Sequence, residues 1–451
     1  MGMEIDKLAR FVAEARWSDI PRDVQHHTKL VLLDTLGVIL AGSVRPEVSA
    51  VRDRLAGSGG PATILAPGWP GSDARTAALL NGIAGRSIEL CEGLRLVSGQ
   101  VALQVLPGAL AVAEQTGATG ADLLTAFIVG YEIGGRLCAA FTARPLAHQN
   151  GQASLLGAAA AGARLRGLDA TATSLALRIA TTLMLSPSYT NAVNGATALN
   201  IAGGMSGFAA AIAPELALAG FTAQEDAVEQ SLGSLIGSAF SADGLLDDLG
   251  ERWEIMRNYF RLYACCNPIH PALDCLQALL AELKPRPEEV ERIEVATYRF
   301  ASVMRDPEPS NYFASKYSLP HAAAAMIVNG NAGHASLDDA ALSNPVIAAL
   351  RRRVHVTEDP AMTAVAPRLR PARVQLVLKD GRSAVRGCTS HRGDFNEPFA
   401  EAEIRAKFCE LASVTLSTDG ARAVEKAVFA GEDWPDPSAL TTLLRQHSRR
   451  A

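Results

Sequence analysis

The most informative part of the chain is the run YACCNPIHPALD at residues 263–274, which follows closely after Arg261. It places a cation, an aromatic ring, two thiols and an imidazole together in a run too polar and too rich in proline for plain core. Leucines recur at helical spacing after His270, so this imidazole lies in or near the first turn of a predicted helix. A helix N-terminus holds an imidazole rigidly and favours its neutral form, as a general base requires. A His that only caps the helix would give the same pattern.

Before this run, the sequence has the pattern of successive helices. Apolar residues recur with helical periodicity, and clusters of Gly, Pro, Asn and Ser separate the segments. Helices are predicted at residues 30–40, 77–88, 100–115, 120–140, 154–166, 170–184 and 199–219. Continuous apolar stretches such as 121–129 indicate helices buried on most sides, and hence a layered helical domain.

After residue 283 the pattern changes to alternation of apolar and polar residues. Strands are predicted at 290–297, 353–356, 372–378 and 383–388, with helices at 320–328, 345–349 and 399–416. Asp380 and Gly381 form a turn signal between the last two strands. We therefore predict a mainly α fold, a large all-helical domain with an inserted, smaller α+β lid domain. The predicted boundaries are 1–264 for the first part of the helical domain, 265–395 for the lid, and 396–451 for C-terminal helices that return to the helical domain.

Composition limits the classes of function. Hydrophobic residues make up 48% of the 451 residues and aromatic residues only 5%, which indicates an aliphatic core in which small residues let helices approach closely. A net charge of −5 argues against nucleic acid or an anionic membrane as a partner. The longest apolar runs, such as 153–163, are interpreted as too short to span a bilayer.

Cysteine usage and the first residues point to a cytoplasmic protein. The seven cysteines include no CxxC pair and no cluster with zinc spacing, so reduced thiols are expected. The start of the chain lacks the basic residues and apolar run of a signal peptide. We expect no metal ion and no organic cofactor.

Motifs along nearly the whole chain resemble one family in their order and spacing. Residues 263–274 resemble the K-P-Y-P-C-C-x-x-x-H-P-x-x-D-A signature of the MmgE/PrpD family, and residues 315–320, SKYSLP, resemble its A-K-F-S-L-P. Asn81-Gly82, the run 106–111 and the closing residues 380–382 and 393–394 also match. That family contains 2-methylcitrate dehydratases, cis-aconitate decarboxylases and iminodisuccinate epimerases. The resemblance implies a helical domain with a smaller α+β lid, an active site in the cleft between them, and a homodimer.

The resemblance also implies acid–base chemistry on a small carboxylate. Such a reaction needs a base near neutrality, cations that hold carboxylates, and donors for the developing negative charge. The predicted catalytic residues are His270, His148 and Lys316, and the predicted substrate-binding residues are Arg261, Glu89, Glu92, Gln100, Asn150, Tyr263 and Cys266. His270 is the predicted principal base or acid, with His148 as its partner and with Arg261 and Lys316 as carboxylate clamps. The structural alternatives are a helix-capping loop His for His148, a surface Arg for Arg261 and an interdomain salt bridge for Lys316.

Three departures from the family pattern bear on the reaction. Relatives carry H-x-x-D-F-D-D-T where this chain has Arg86-Ser87-Ile88-Glu89-Leu90-Cys91-Glu92-Gly93, so an Arg replaces a His. A following family His becomes Gln100, and a family Lys becomes Ala198. This loss of an imidazole and an ammonium suggests a substrate with fewer carboxylates, or one in which an amide or uncharged group replaces a carboxylate.

Three hypotheses follow from the sequence. The first is a dehydratase or decarboxylase that acts by metal-free proton transfer next to a carboxylate of a di- or tricarboxylate. The second is an isomerase or epimerase of a carboxylate such as iminodisuccinate, which asks less of the depleted site because no leaving group is protonated. The third is a catalytically weak relative that serves as a binding protein.

Overall fold

The computed structural model describes residues 2–57, 59–95 and 99–449, and it is mainly α-helical. The helices up to the central segment are α1 (Gly2–Glu14), α2 (Arg22–Gly42), α3 (Pro46–Leu55), α4 (Ala74–Arg86), α5 (Val101–Thr116), α6 (Gly120–Ala140), α7 (Ala153–Leu165), α8 (Ala170–Ala180), α9 (Tyr189–Val193), α10 (Ile201–Leu218) and α11 (Ala227–Gln230). The later ones are α12 (His270–Leu283), α13 (Arg299–Ser302), α14 (Tyr312–Ser315), α15 (Leu319–Asn329), α16 (Asp339–Ser343), α17 (Pro345–Arg351), α18 (Pro360–Val365), α19 (Glu401–Ala412), α20 (Thr418–Phe429) and α21 (Ser438–Gln446). The prediction of a mainly α fold is confirmed.

Small residues set the helix spacing in the first part. A Cβ on Gly157 of α7 would lie 2.3 Å from the Gly130 carbonyl oxygen of α6, and one on Gly82 of α4 would lie 2.5 Å from the Gly203 oxygen of α10. The backbones therefore touch where the sequence has no side chain, as the composition suggested. Only Gly fits at such crossings, because any Cβ would overlap a carbonyl oxygen of the neighbouring helix.

The strands are β1 (Ala62–Thr63), β2 (Gly71–Ser72), β3 (Gly93–Leu94), β4 (Phe141–Ala143), β5 (Gly237–Phe240), β6 (Asn258–Tyr259), β7 (Val290–Thr297), β8 (Val354–Glu358), β9 (Ala372–Leu378) and β10 (Ser383–Cys388). The last four form a sheet of order β10-β9-β7-β8, in which only the β7–β8 pair is parallel. Strands β7, β9 and β10 have the predicted bounds. Helix α12 packs on β9 and β10, and α19 packs on α2.

The sequence predicted that the first part contains only helices, and the structure differs from this prediction. Three short antiparallel pairs, β1–β2, β3–β6 and β4–β5, join segments that the sequence interpretation treated as helix connections. Pairs of two to four residues carry too little alternation to be recognised in a sequence. The β3–β6 pair ties residues 93–94 to residues 258–259, which brings two predicted site segments together.

Two helical segments, α6 and residues 197–218, are long and apolar enough to cross a membrane by length and composition, and α2 with α3 would add a third as one span bent by 88°. The expectation that the apolar runs are too short is therefore wrong. In the most apolar window, 89% of α6 and 56% of residues 197–218 is buried inside the protein. A helix that is surrounded by other helices in a protein core is apolar on all sides, as these segments are. The expected lack of a membrane partner stays a prediction.

Candidate active site

A small pocket lies where the helical part of the chain meets the segments around the four-stranded sheet. This inner compartment has a volume of about 60 Å³. Its lining is Glu89, Gln100, His148, Asn150, Tyr189, Tyr259, Arg261, Cys266, Asn267, Pro268, Phe300, Tyr317 and Arg370. Six of the ten predicted site residues are among them.

Glu89 lies at the centre of a buried ionic cluster. Its carboxylate accepts hydrogen bonds from Arg86, from Arg261 at 2.6 Å and from the Tyr317 hydroxyl at 3.0 Å. Burial alone would raise the pKa of Glu89, but the two guanidiniums outweigh it and lower the pKa to about 2. Glu89 also has a left-handed backbone with φ of 51°, which these contacts hold in place. The carboxylate is thus a fixed anion and a poor base.

Arg261 is buried and is not the surface residue of the structural alternative. Besides Glu89, its guanidinium donates to the Tyr259 hydroxyl at 3.1 Å. The two cations Arg86 and Arg261 share the single carboxylate Glu89, so the cluster keeps a net positive charge. A buried cluster with surplus positive charge attracts an anionic ligand.

Arg370 adds another cation that the sequence analysis missed. It is buried, and it donates to the Asn267 side-chain oxygen and, at 2.7 Å, to the Arg95 carbonyl. Among the described residues, no carboxylate lies within ion-pair distance of it. Nothing in the stretch RLRPAR at 368–373 distinguishes this arginine from its neighbours, because only the tertiary fold turns it into the pocket.

His148 reaches the pocket from the segment before α7. Its ring stacks on Tyr189, with centroids 5.4 Å apart and planes 13° from parallel. The backbone N–H of Asn150 donates to His148 Nδ1 at 3.2 Å, so a neutral ring carries its proton on Nε2. Burial, with the charges of Arg86 and Arg261, lowers the pKa of His148 to about 3. In the free protein this side chain is therefore a neutral hydrogen-bond donor.

Gln100 and Asn150 fix the position of the His148 segment. Asn150 Nδ2 donates to Gln100 Oε1 at 2.7 Å, and the Gly151 N–H donates to Gln104 Oε1 at 2.7 Å. These bonds join the His148 segment to the first turn of α5. Gln100 thus has a positioning contact in addition to its place in the lining.

His270 does not line the inner compartment. It is the first residue of α12, with Ile269 at the N-cap, so it is not itself the cap. Its Nε2 lies 3.1 Å from the Cys265 carbonyl oxygen, and its ring contacts the edges of Tyr263 and His391. Burial and His391 lower the pKa of His270 well below its usual value. The role of His270 as principal base stays a prediction. In this structure its ring contacts the backbone of Cys265, the neighbour of the lining residue Cys266.

Lys316 is also outside this lining. Its ammonium donates to the Leu337 carbonyl and lies 4.2 Å from the Tyr312 ring centroid. Burial lowers the pKa of Lys316 to about 7. The described residues give it no ion pair, so the alternative of an interdomain salt bridge is wrong for this structure.

Glu92 and Tyr263 likewise make structural contacts elsewhere. Glu92 accepts from the Ala102 N–H at 2.9 Å and from the Tyr131 hydroxyl at 2.8 Å, and burial raises the pKa of Glu92 to about 7. The Tyr263 hydroxyl lies 2.7 Å from Asp274 Oδ1. Ala198 is exposed and is not in the lining of this pocket.

Further lining residues were not predicted. Tyr317 and Asn267 stand inside motifs that the sequence analysis quoted, and that position was a usable signal. Tyr189 and Tyr259 lie in stretches without a motif, so only the fold identifies them.

The inner compartment adjoins a larger outer compartment of about 520 Å³. The two share His148, Tyr189, Pro268, Phe300 and Arg370. His148 and Arg370 therefore line both compartments.

Within the described residues, no group of three or more His, Cys, Asp and Glu side chains is placed to hold a metal ion. None of the seven cysteines forms a disulfide. The expectation of chemistry without a metal ion stays a prediction.

Most of the chain matches a known family of proteins. Residues 6–242 match the MmgE/PrpD N-terminal domain and residues 263–430 match the MmgE/PrpD C-terminal domain, so the chain belongs to the MmgE/PrpD family. It is 26% identical to human cis-aconitate decarboxylase over 443 residues, which cover 94% of this chain and 90% of the relative. It is 24% identical to the cis-aconitate decarboxylase-like protein oryM of Aspergillus oryzae and 23% identical to cis-aconitate decarboxylase of Aspergillus terreus, with 97% of this chain covered in each case and 96% and 95% of the relatives. These relatives support a lyase role at the level of the family.

Proposed function

We propose that this protein is a lyase that acts on a small di- or tricarboxylate by proton transfer next to a carboxylate, without a metal ion or organic cofactor. The observation that carries the proposal is the pairing of Arg370 with His148 in one pocket, where Arg370 is a buried cation without an ionic partner among the described residues. Arg370 supplies the charge that a substrate carboxylate needs, and its guanidinium can hold that group through two hydrogen bonds. Arg261 supplies a second donor at the same pocket.

Decarboxylation is the lyase reaction that suits these groups best. The pocket offers several donors, whereas Glu89, the one carboxylate among its described lining residues, is a poor base because the pKa of Glu89 is held at about 2. Substrate carboxylates next to His148 raise the pKa of its imidazole, so the ring takes up a proton as the ligand enters. As the carbon–carbon bond breaks, one carboxylate leaves as CO2 and its electron pair stays on the substrate. The His148 imidazolium then gives its proton to that carbon, which balances the reaction.

Epimerisation has less support from this geometry. It needs two proton-transfer groups on opposite faces of one carbon. His148 is the one imidazole that lines the inner compartment within the described chain. The epimerase and the binding protein therefore stand as outcomes of the test.

The test is incubation of the purified protein with a panel of di- and tricarboxylic acids, including cis-aconitate, in D2O, followed by NMR. Loss of CO2 with deuterium at the new C–H position is the expected result. Loss of water would replace decarboxylation by dehydration. Deuterium exchange without a product would mark an epimerase, and no change with any acid would contradict the enzyme. Arg370→Leu should abolish the product, whereas Arg368→Leu, at an exposed arginine close by, should not.

A further inference from the structure

The outer compartment indicates what kind of carboxylate the site takes. We infer that the substrate carries a bulky apolar substituent, alkyl or aryl, that lies in the outer compartment while its carboxylate end lies at Arg370 and His148. This inference rests on the proposed carboxylate chemistry and narrows its substrate class.

The first observation is size. The inner compartment, at about 60 Å³, holds only about two waters. The outer compartment is far larger, at about 520 Å³, and it shares five lining residues with the inner one. A ligand that only filled the inner space would leave the larger cavity to water.

The second observation is the distribution of charge. In the outer wall, Arg144 donates to the backbone carbonyls of Ser234 and Leu235, and Arg299 forms an ion pair with Glu358. Arg144 and Arg299 are exposed, whereas Arg370, which lines both compartments, is buried. A carboxylate therefore meets a buried cation where the two compartments share Arg370, and the rest of the outer compartment is free for an uncharged group.

The third observation is the apolar path between the compartments. The Tyr189 and Phe300 rings lie 5.1 Å apart at centroids and line both spaces. Phe300 is 43% exposed and Val303 is 52% exposed, and Pro367 continues the wall. Exposed apolar side chains that converge on one cavity are typical of a surface that a ligand covers.

The experiment measures binding and does not depend on turnover. Isothermal titration calorimetry compares succinate with benzylsuccinate, which has the same two carboxylates and one added benzyl group on the carbon chain. Burying a phenyl group should make benzylsuccinate bind roughly 10–100-fold more tightly. In the double variant Phe300→Ser with Val303→Ser, that ratio should fall to below about fivefold, because the apolar wall is gone. The matched control Val346→Ser changes a valine that is 46% exposed and lines neither compartment, and it should keep the ratio.

Each result decides the inference. Equal affinities for the two ligands, an unchanged ratio in the double variant, or no binding of either ligand at millimolar concentration would overturn it. Tighter binding of benzylsuccinate that depends on Phe300 and Val303 supports it. If that binding pattern appears while no carboxylate is converted or exchanges deuterium, the apolar substrate site stands and the proposed lyase activity fails.

Discussion

His148 and His270 make different contacts, and this difference predicts different responses to mutation. His148 faces the cleft and stacks on Tyr189, so His148→Gln should lower turnover by roughly 10²–10⁴-fold with little change in melting temperature. His270→Asn empties a buried ring site and weakens the contact with the Cys265 carbonyl, so it should lower the melting temperature clearly and turnover less. Turnover and thermal melting of both variants are the measurements. A His270→Asn protein that melts normally but has lost turnover, beside a fully active His148→Gln protein, would restore the sequence-based assignment.

The titration of His148 predicts how binding depends on pH. In the free protein the pKa of His148 is lowered to about 3, so the ring is neutral at pH 7. A bound dicarboxylate raises that pKa, and binding therefore takes up a proton between the two values. Affinity for benzylsuccinate should rise as pH falls from 8 to 6, by at most about tenfold per pH unit. Calorimetry in buffers of different ionisation enthalpy should show uptake that grows below pH 7 and is absent in His148→Gln.

The Glu89 cluster predicts a large effect on stability. Glu89→Gln leaves Arg86 and Arg261 buried without their shared carboxylate, which should cost about 3–5 kcal/mol of unfolding free energy. The control is Glu282→Gln, which removes one partner of an exposed ion pair with Arg386 and should cost less than about 1 kcal/mol. Urea unfolding measures both. Equal effects would show that the cluster contributes no more than a surface pair.

At the level of elements, the crossing of α4 and α10 helps to position the candidate site. A Cβ at Gly82 would lie 2.5 Å from the Gly203 oxygen, so Gly82→Ala should destabilise the protein by about 1–3 kcal/mol. Because α4 leads directly into Arg86 and Glu89, the same change should weaken benzylsuccinate binding. Gly387→Ala on β10, where the nearest atom would be 3.5 Å away, is the control and should change stability by less than about 0.5 kcal/mol. A neutral Gly82→Ala in urea unfolding would contradict the close crossing.

At the scale of the whole molecule, exposed apolar side chains lead us to predict a homodimer. Large apolar side chains are exposed along and after α10, namely Ile201 at 47%, Leu218 at 61% and Phe221 at 57%. A homodimer with an isologous interface would cover exposed apolar side chains of this kind. Sedimentation equilibrium at micromolar concentration should give twice the chain mass, and Leu218→Asp should reduce it. A wild-type monomer would contradict the predicted homodimer.

Several features of the fold could be read from local sequence because their cause is local. Strands β7 and β9 alternate apolar and polar residues, since one face of the sheet packs on α12, and both appear where predicted. Helix α6 begins at a Thr119 capping box and ends as predicted at Ala140. The pairs β1–β2, β3–β6 and β4–β5 were not predicted, because so few residues carry no periodic signal.

The residues of the candidate site likewise fall into those that the sequence predicted and those that only the fold identified. Motifs and their order were enough to identify the family and to name Glu89, Gln100, His148, Asn150, Arg261 and Cys266 as neighbours. Only the fold shows that Arg370 lines the pocket and that the His270 and Lys316 side chains do not. A sequence specifies which residue types and helix faces exist, because propensity and periodicity act over a few residues. Which side chains share a cavity depends on contacts between residues far apart in the chain, and here those contacts join residues 89, 148, 261 and 370 around one small space.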